Sequence, residues 1–371
     1  MFHPFELEQY MSEQEEGVTY HFAESGVHPL TLAEFLDLAG RPIDTLGDIL
    51  INYPEVRGTE ALRARIASLY PGANAENVLV TVGASEANQI IAQTLLAPGD
   101  TVLTLSPTYR QLVGNAKNLG ATVVPVPLVE DRGWALDTEA LAAVLDAKMI
   151  AVVNPHNPTG HILDDTERTA LISAAQRTGA WIVADEVYAG TERGDAPETP
   201  SFWGTHDRVI VVNSMSKAYG LPGLRLGWIV APQDMITHLW RRHEYATISA
   251  TMLSMHLADM ALAPETRPKL IARARRLIDR GFDQLTEGLS RLQGTFSVVP
   301  PQASAMSFVK FTLPIGSMDL ALRLKAEQDL LVVPGQVFGL DDHFRFSSAL
   351  PEAHLAEGLD RLNRFAADLL A

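Results

Sequence analysis

Cysteine is absent from this 371-residue chain, which rules out disulfides and thiolate metal sites. The absence fits a reducing compartment, and we expect the chain to be cytoplasmic. Basic residues are also few. Lysine and arginine number 29 against 45 aspartates and glutamates, giving a formal net charge of −16. That balance argues against nucleic acid and against an anionic membrane surface as partners. It leaves room for a small anionic ligand, because a few local donors decide such binding. No apolar run approaches the roughly 18–20 residues of a membrane span. Residues 1–20 are acidic and polar, without the basic and apolar regions of a signal peptide. The histidines have no metal-ligand spacing, and no metal is expected.

The remaining composition is that of a globular protein, with 47% hydrophobic and 20% charged residues. The length exceeds one small core and predicts two domains. Short β-branched runs alternate with helical patterns. Strands are expected at 77–82, 101–105, 121–126, 149–153, 181–184 and 209–212, and helices at 85–96, 111–119 and 137–146. The runs at 149–153 and 181–184 are almost wholly apolar, as in buried parallel strands. This rhythm predicts an α/β sheet covered by helices on both faces. A helical stretch follows from Pro232 to about Leu292, with one break near Ala263-Pro264. The C-terminal part reads as α+β, with strands at 296–300, 307–312, 330–333 and 343–347 and helices at 318–328 and 351–370.

Lysine occurs only six times. One of these, Lys217, lies in the small-residue turn Ser214-Met215-Ser216-Lys217-Ala218-Tyr219-Gly220 after an apolar run, with Arg225 eight positions on. Partial burial and cationic neighbours depress a lysine pKa and free the amine to attack a carbonyl. Taken alone, the motif reads more readily as a solvated loop lysine beside a structural arginine. Gly83-Ala84-Ser85 joins a strand to a helix, where free N–H groups and the helix dipole form an anion site or simply a cap. Asp185 ends an apolar strand, and a carboxylate there needs a partner.

In this order and spacing, Thr81–Glu86, Asn154-Pro155-His156-Asn157-Pro158-Thr159-Gly160, Asp185-Glu186-Val187-Tyr188 and Ser214–Arg225 resemble the class I/II aminotransferases. These are pyridoxal-phosphate (PLP) enzymes of the aspartate aminotransferase superfamily. The resemblance runs from about Tyr53 to Arg345. It implies an α/β fold, the PLP-dependent transferase fold type I. A large PLP-binding domain at 46–284 would hold a mainly parallel, seven-stranded-type sheet between helices. Residues 1–45 with 285–371 would form a smaller α+β domain.

The resemblance also implies roles. Lys217 would hold the cofactor as an internal aldimine and then act as general base. Gly83, Ala84, Ser85, Ser214, Ser216 and Arg225 would bind its phosphate, joined by Tyr53 from the neighbouring subunit of a homodimer. Asp185 would pair with the pyridine nitrogen and stabilise a quinonoid, Tyr109 would stack on the ring, and Asn157 and Tyr188 would bond the ring hydroxyl. Arg345, assisted by Asn157, would clamp the substrate carboxylate. Gly26, Val27 and His28 would line the substrate end, and His156 a wall. The implied substrates are an amino acid and a 2-oxo acid, exchanged by transamination through a ketimine. The segments Glu24–Pro29, Lys217–Trp228 and Leu331–Gly339 look like the capreomycidine synthase subgroup, in which the same machinery eliminates a β-substituent and cyclises an arginine derivative. Asp185–Tyr188, in contrast, is as in ordinary aminotransferases. A non-catalytic protein on this fold is disfavoured, because every cofactor-matching position is filled.

Overall fold

The computed structural model describes residues 2–371. Its strands run in chain order from β1 (Tyr20–His21) through β2 (Val78–Thr81), β3 (Thr101–Ser106), β4 (Thr122–Val129), β5 (Ala135–Leu136), β6 (Met149–Val153), β7 (Trp181–Asp185), β8 (Val209–Ser214) and β9 (Gly227–Val230). They continue with β10 (Phe296–Val298), β11 (Met306–Phe311), β12 (Leu330–Leu331), β13 (Val333–Pro334) and β14 (His343–Ser347). Eight strands form one sheet in the order β2-β9-β8-β7-β6-β3-β4-β5. The five from β8 to β4 pair in parallel, while β9 and the edge strand β5 run antiparallel to their neighbours. The expected sheet is therefore present, with the two-residue β5 as an extra edge.

Alternation along the central strands explains why they read as continuous apolar runs. Ile150, Val152, Ile182, Ala184, Val209 and Val211 pack into one hydrophobic cluster. Their neighbours Met149, Ala151, Val183, Ile210 and Val212 pack into a second. Successive side chains on a strand point to opposite faces, so both faces of this sheet are buried.

A second sheet, β10-β11-β14-β13, is antiparallel, and β1 pairs in parallel with β12. The helices Arg267–Leu289 and Glu352–Leu370 lie against each other, with Asn363 Nδ2 donating to Gly288 O and Gln284 Nε2 to Glu352 O. The expected helical stretch after Pro232 breaks twice rather than once. Helix Gln233–Ala246 stops before Ile248, which adopts a left-handed φ of 70°. Thr251 then caps Met252–Ala261 by accepting from Ser254 N. The β-branched Thr247-Ile248 pair and a capping threonine are both unfavourable to continuation. The helix begun at Asp137 is also shorter than expected, Thr138–Ala142.

Candidate functional site

The parallel strands all deliver their carboxyl ends to one edge, the usual location of a site in an open α/β sheet. Tyr109 follows β3, Asn157 follows β6, Asp185 ends β7, and Ser214 ends β8 with Lys217 three residues on. Together with Arg345 from β14, they face a cavity of about 490 Å³. Its lining includes Ala84, Ser85, Tyr109, Asn157, Asp185, Tyr188, Ser214, Ser216, Lys217, Arg225 and Arg345. These residues span more than 260 positions of sequence, and only the fold brings them together.

One end of the cavity is an anion cup. Helix Gly83–Leu95 starts there with no side chain capping its first turn, so N–H groups remain free at the positive end of the dipole. Gly83 has a φ of 74°, and a Cβ there would stand 2.9 Å from Arg225 Nη2. Only glycine accepts that conformation at no steric cost, and it lets the guanidinium close over the helix start. Arg225 is itself left-handed, with a φ of 44°, and its Nη1 donates to Pro222 O at 3.0 Å. Ser214 is buried, and its Oγ accepts from Ser216 N at 3.3 Å.

At the centre, Asp185 is 4% exposed. Its carboxylate accepts from Asn88 Nδ2 at 3.2 Å and from Val187 N at 3.3 Å. Burial pushes its pKa up, against those two hydrogen bonds and the charge of Lys217. A cationic partner in the cavity would reverse that shift. Lys217 opens onto the cavity but is withdrawn from bulk water. Desolvation lowers its amine pKa, and Arg345 lowers it further against the opposing charge of Glu24. Its Nζ donates to Ser25 Oγ at 2.7 Å.

The far end holds a connected polar chain. Arg345 Nη1 donates to Asn157 Oδ1 at 3.2 Å, and Asn157 Nδ2 donates to Tyr188 Oη at 3.2 Å. Arg345 Nη2 donates to Ala23 O at 2.6 Å. The flanking Phe344 and Phe346 are fully buried on the opposite face of β14, which turns Arg345 toward the cavity. Tyr109 donates to Glu8 Oε1 at 3.2 Å and meets the Phe5 ring edge-on. Burial, then Glu8, pushes its phenol well above the usual range.

Several expected residues lie elsewhere. Gly26 sits over the backbone of Lys217. Val27 packs among Ala274, Ile278, Ala305 and Ala349, and His28 is beyond it, its carbonyl bonded by Arg273 Nη2. The cavity wall expected from Gly26, Val27 and His28 is formed instead by Ala23, Glu24 and Ser25. The chain turns at Gly26, and a sequence without coordinates gives no register for that turn. His156 is enclosed within its turn, with Nδ1 against Thr159 Oγ1 at 2.9 Å, and is not a wall of the cavity. Tyr53 is 87% exposed and outside the cavity of its own chain.

Other lining residues were not anticipated: Phe5, Leu7, Glu8 and Met11 of the N-terminal helix region, together with Asn88 and Gln111. Asn88 had a readable signal. It is a polar residue on the apolar face carrying Ala87, Ile90 and Ile91. Its Oδ1 is buried without a partner.

The residues fit pyridoxal phosphate at three points. An uncapped helix start with Arg225 suits a phosphate, a buried carboxylate suits a protonated pyridine nitrogen, and a desolvated amine suits an aldehyde.

Residues 43–362 match the family described as aminotransferase class I and II. The chain is 34% identical over 357 residues to capreomycidine synthase of Streptomyces vinaceus, covering 95% of this chain and 91% of that one. It is 31% identical over 338 residues to an arginine–pyruvate transaminase of Pseudomonas aeruginosa, with 88% and 86% covered. Among solved structures it is similar to a PLP-dependent aminotransferase from Streptococcus suis, with a TM-score of 0.92 at 32% identity over 99% of this chain and 98% of that one.

Proposed function

This chain belongs to the class I and II aminotransferases, enzymes dependent on pyridoxal phosphate, and from that premise we propose that it moves the amino group of an L-amino acid to a 2-oxo acid. The observation that carries this reading is the convergence of Lys217, Asp185 and Arg345 on one cavity.

When bound, the cofactor supplies an aldehyde to carry nitrogen and a ring to draw electrons from the substrate α-carbon. The protein's part is to hold and to move protons. Arg345 receives the α-carboxylate, its guanidinium fixed by Asn157 and Ala23 O. Lys217, its pKa depressed, would take the α-proton as general base and deliver it to the carbon of the cofactor's aldehyde. Asp185, held in place by Asn88 and Val187 N, would keep a proton on the ring nitrogen. Asn157 and Tyr188 would orient the ring through its hydroxyl. The helix start, Ser85, Ser214, Ser216 and Arg225 would anchor the phosphate.

The test is to incubate purified holoenzyme with single amino acids and 2-oxoglutarate or pyruvate, and to measure the new amino acid formed. A second reading, elimination with ring closure, is favoured by the similarity to capreomycidine synthase over nearly the whole chain. Turnover of an amino acid with no oxo acid present would establish that reading and remove the first.

We also propose a cytoplasmic homodimer. Leu50, Ile51 and Tyr53 are exposed, as are Tyr245 and Ile248. The two segments adjoin where His243 Nε2 meets Val56 O at 3.1 Å. A second copy would cover this apolar face and bring Tyr53 to the neighbouring phosphate cup. Residues 46–284 are proposed as the large domain, and 1–45 with 285–371 as the small one.

A further inference from the structure

Residues 22–30 form a strap across the cavity. Phe22 is bonded at both ends of its peptide, with its N donating to Leu331 O at 2.8 Å and its O accepting from Ser347 N at 2.9 Å. His28 N donates to Ala349 O, and Leu30 N donates to Gly220 O, three residues past Lys217. Between these anchors the strap makes two contacts with the reactive groups. Ala23 O accepts from Arg345, and Ser25 Oγ accepts from Lys217 Nζ. Ser25 is only 7% exposed. A Cβ at Gly26 would stand 3.0 Å from Ser216 O and 3.7 Å from Lys217 Cα. The strap therefore lies directly on the lysine backbone, and this closeness fixes the height of Ser25 over the amine.

We infer that Ser25 is the positioning residue for Lys217 when its amine is not bonded to the cofactor. A free lysine amine on four methylenes has many rotamers, and a general base must be aimed to within a fraction of an ångström. Among the described residues, the Ser25 hydroxyl is the hydrogen-bond acceptor that Nζ finds. By accepting one N–H it fixes the amine and leaves the lone pair free for the α-proton. Two residues earlier on the same strap, Ala23 O holds Arg345 at 2.6 Å. The strap thus ties the aim of the base to the group that holds the substrate carboxylate. This inference rests on Lys217 being the base.

The test compares Ser25→Ala and Ser25→Thr holoenzymes with the parent. One readout is exchange of the substrate α-hydrogen with deuterated solvent, which requires no amino acceptor and so does not depend on whether the overall reaction is transamination. The Ala variant is expected to exchange about 10- to 100-fold more slowly, the cost of misaiming a reacting group by about 1 Å. Threonine, which keeps the hydroxyl, is expected to restore most of the rate. The second readout is the pH profile of that exchange, which follows the Lys217 amine while it is free of the cofactor. Its midpoint is expected to move in Ser25→Ala and to return in Ser25→Thr. Wild-type exchange with an unmoved midpoint in Ser25→Ala would overturn the inference. So would a Thr variant as slow as Ala, since the contribution would then be packing and not the hydroxyl. Loss of all exchange in Lys217→Ala is the matching control; if exchange persists there, the premise about the base fails rather than the role of Ser25.

Discussion

In the proposed function, Lys217 and Arg345 each have one job that another residue type would not do. Lys217→Ala is expected to abolish the pyridoxyl adduct that borohydride reduction leaves on the parent protein, as read by peptide mass spectrometry. Arg345→Ala would remove the proposed buried charge pair to the substrate carboxylate and is expected to weaken substrate binding by about 2–5 kcal/mol, seen as a rise in KM larger than the fall in kcat. Two buried residues beside the site make a paired pH prediction. Burial lowers His156 from 6.5 to about 3 and raises Glu186 from 4.5 to about 7. Between pH 4.5 and 6.5 the unfolded chain binds the histidine proton that the folded one refuses, so that contribution to stability rises with pH. Over the same window the folded chain keeps the Glu186 proton that the unfolded one has lost, so that contribution falls with pH, and the two slopes oppose each other. Urea melts across this window are expected to show Glu186→Gln gaining stability with pH relative to the parent. His156→Gln is expected to lose it, each by about 1 kcal/mol per pH unit. Parallel curves for parent and variants would contradict both. At this scale the spaced motifs marked Lys217, Asp185, Asn157 and Arg225, and all four line the cavity, whereas His156 of the same motifs does not. Ser25 and Glu8 were not readable, because their partners lie 192 and 101 positions away and no local pattern marks them.

Elements carry the cofactor end. The proposed phosphate cup depends on a left-handed glycine at the first position of a helix facing an arginine in the same unusual conformation. Gly83→Ala strains the first and pushes the second outward, since the added carbon would stand 2.9 Å from Arg225 Nη2. Cofactor affinity is expected to fall about tenfold or more, for a cost of 1–3 kcal/mol at such a position. Fluorescence titration of the cofactor-free protein would measure it, and an unchanged affinity would mean that the phosphate sits elsewhere. The central strands were legible because sheets buried on both faces leave apolar runs with no alternation. The break at Thr247–Thr251 was less so. A single exposed turn between two helices differs from a continuous helix by only a few tenths of a kcal/mol in propensity per residue, and the capping bond of Thr251 decides the outcome.

At the level of the whole molecule, the exposed Leu50, Ile51 and Tyr53 predict association. Sedimentation is expected to give a dimer, and Ile51→Asp to shift it toward monomer with loss of activity. If the variant stayed dimeric, the face would be wrongly assigned. Removing the cofactor is expected to lower the melting temperature, because a ligand at 100 times its Kd contributes about 2.7 kcal/mol to the folded state. The two-sheet arrangement followed from the alternation of strands and helices. The path of the first thirty residues did not, because partners such as Leu331, Val332 and Ala349 lie more than 300 positions away in the sequence. Exchanging that segment with the corresponding piece of a relative would carry along both the hydroxyl beside the amine and the carbonyl behind the arginine. Such a chimera would test whether enzymes of one shared scaffold inherit different reaction outcomes from a short stretch of chain that supplies no strand to the eight-stranded sheet.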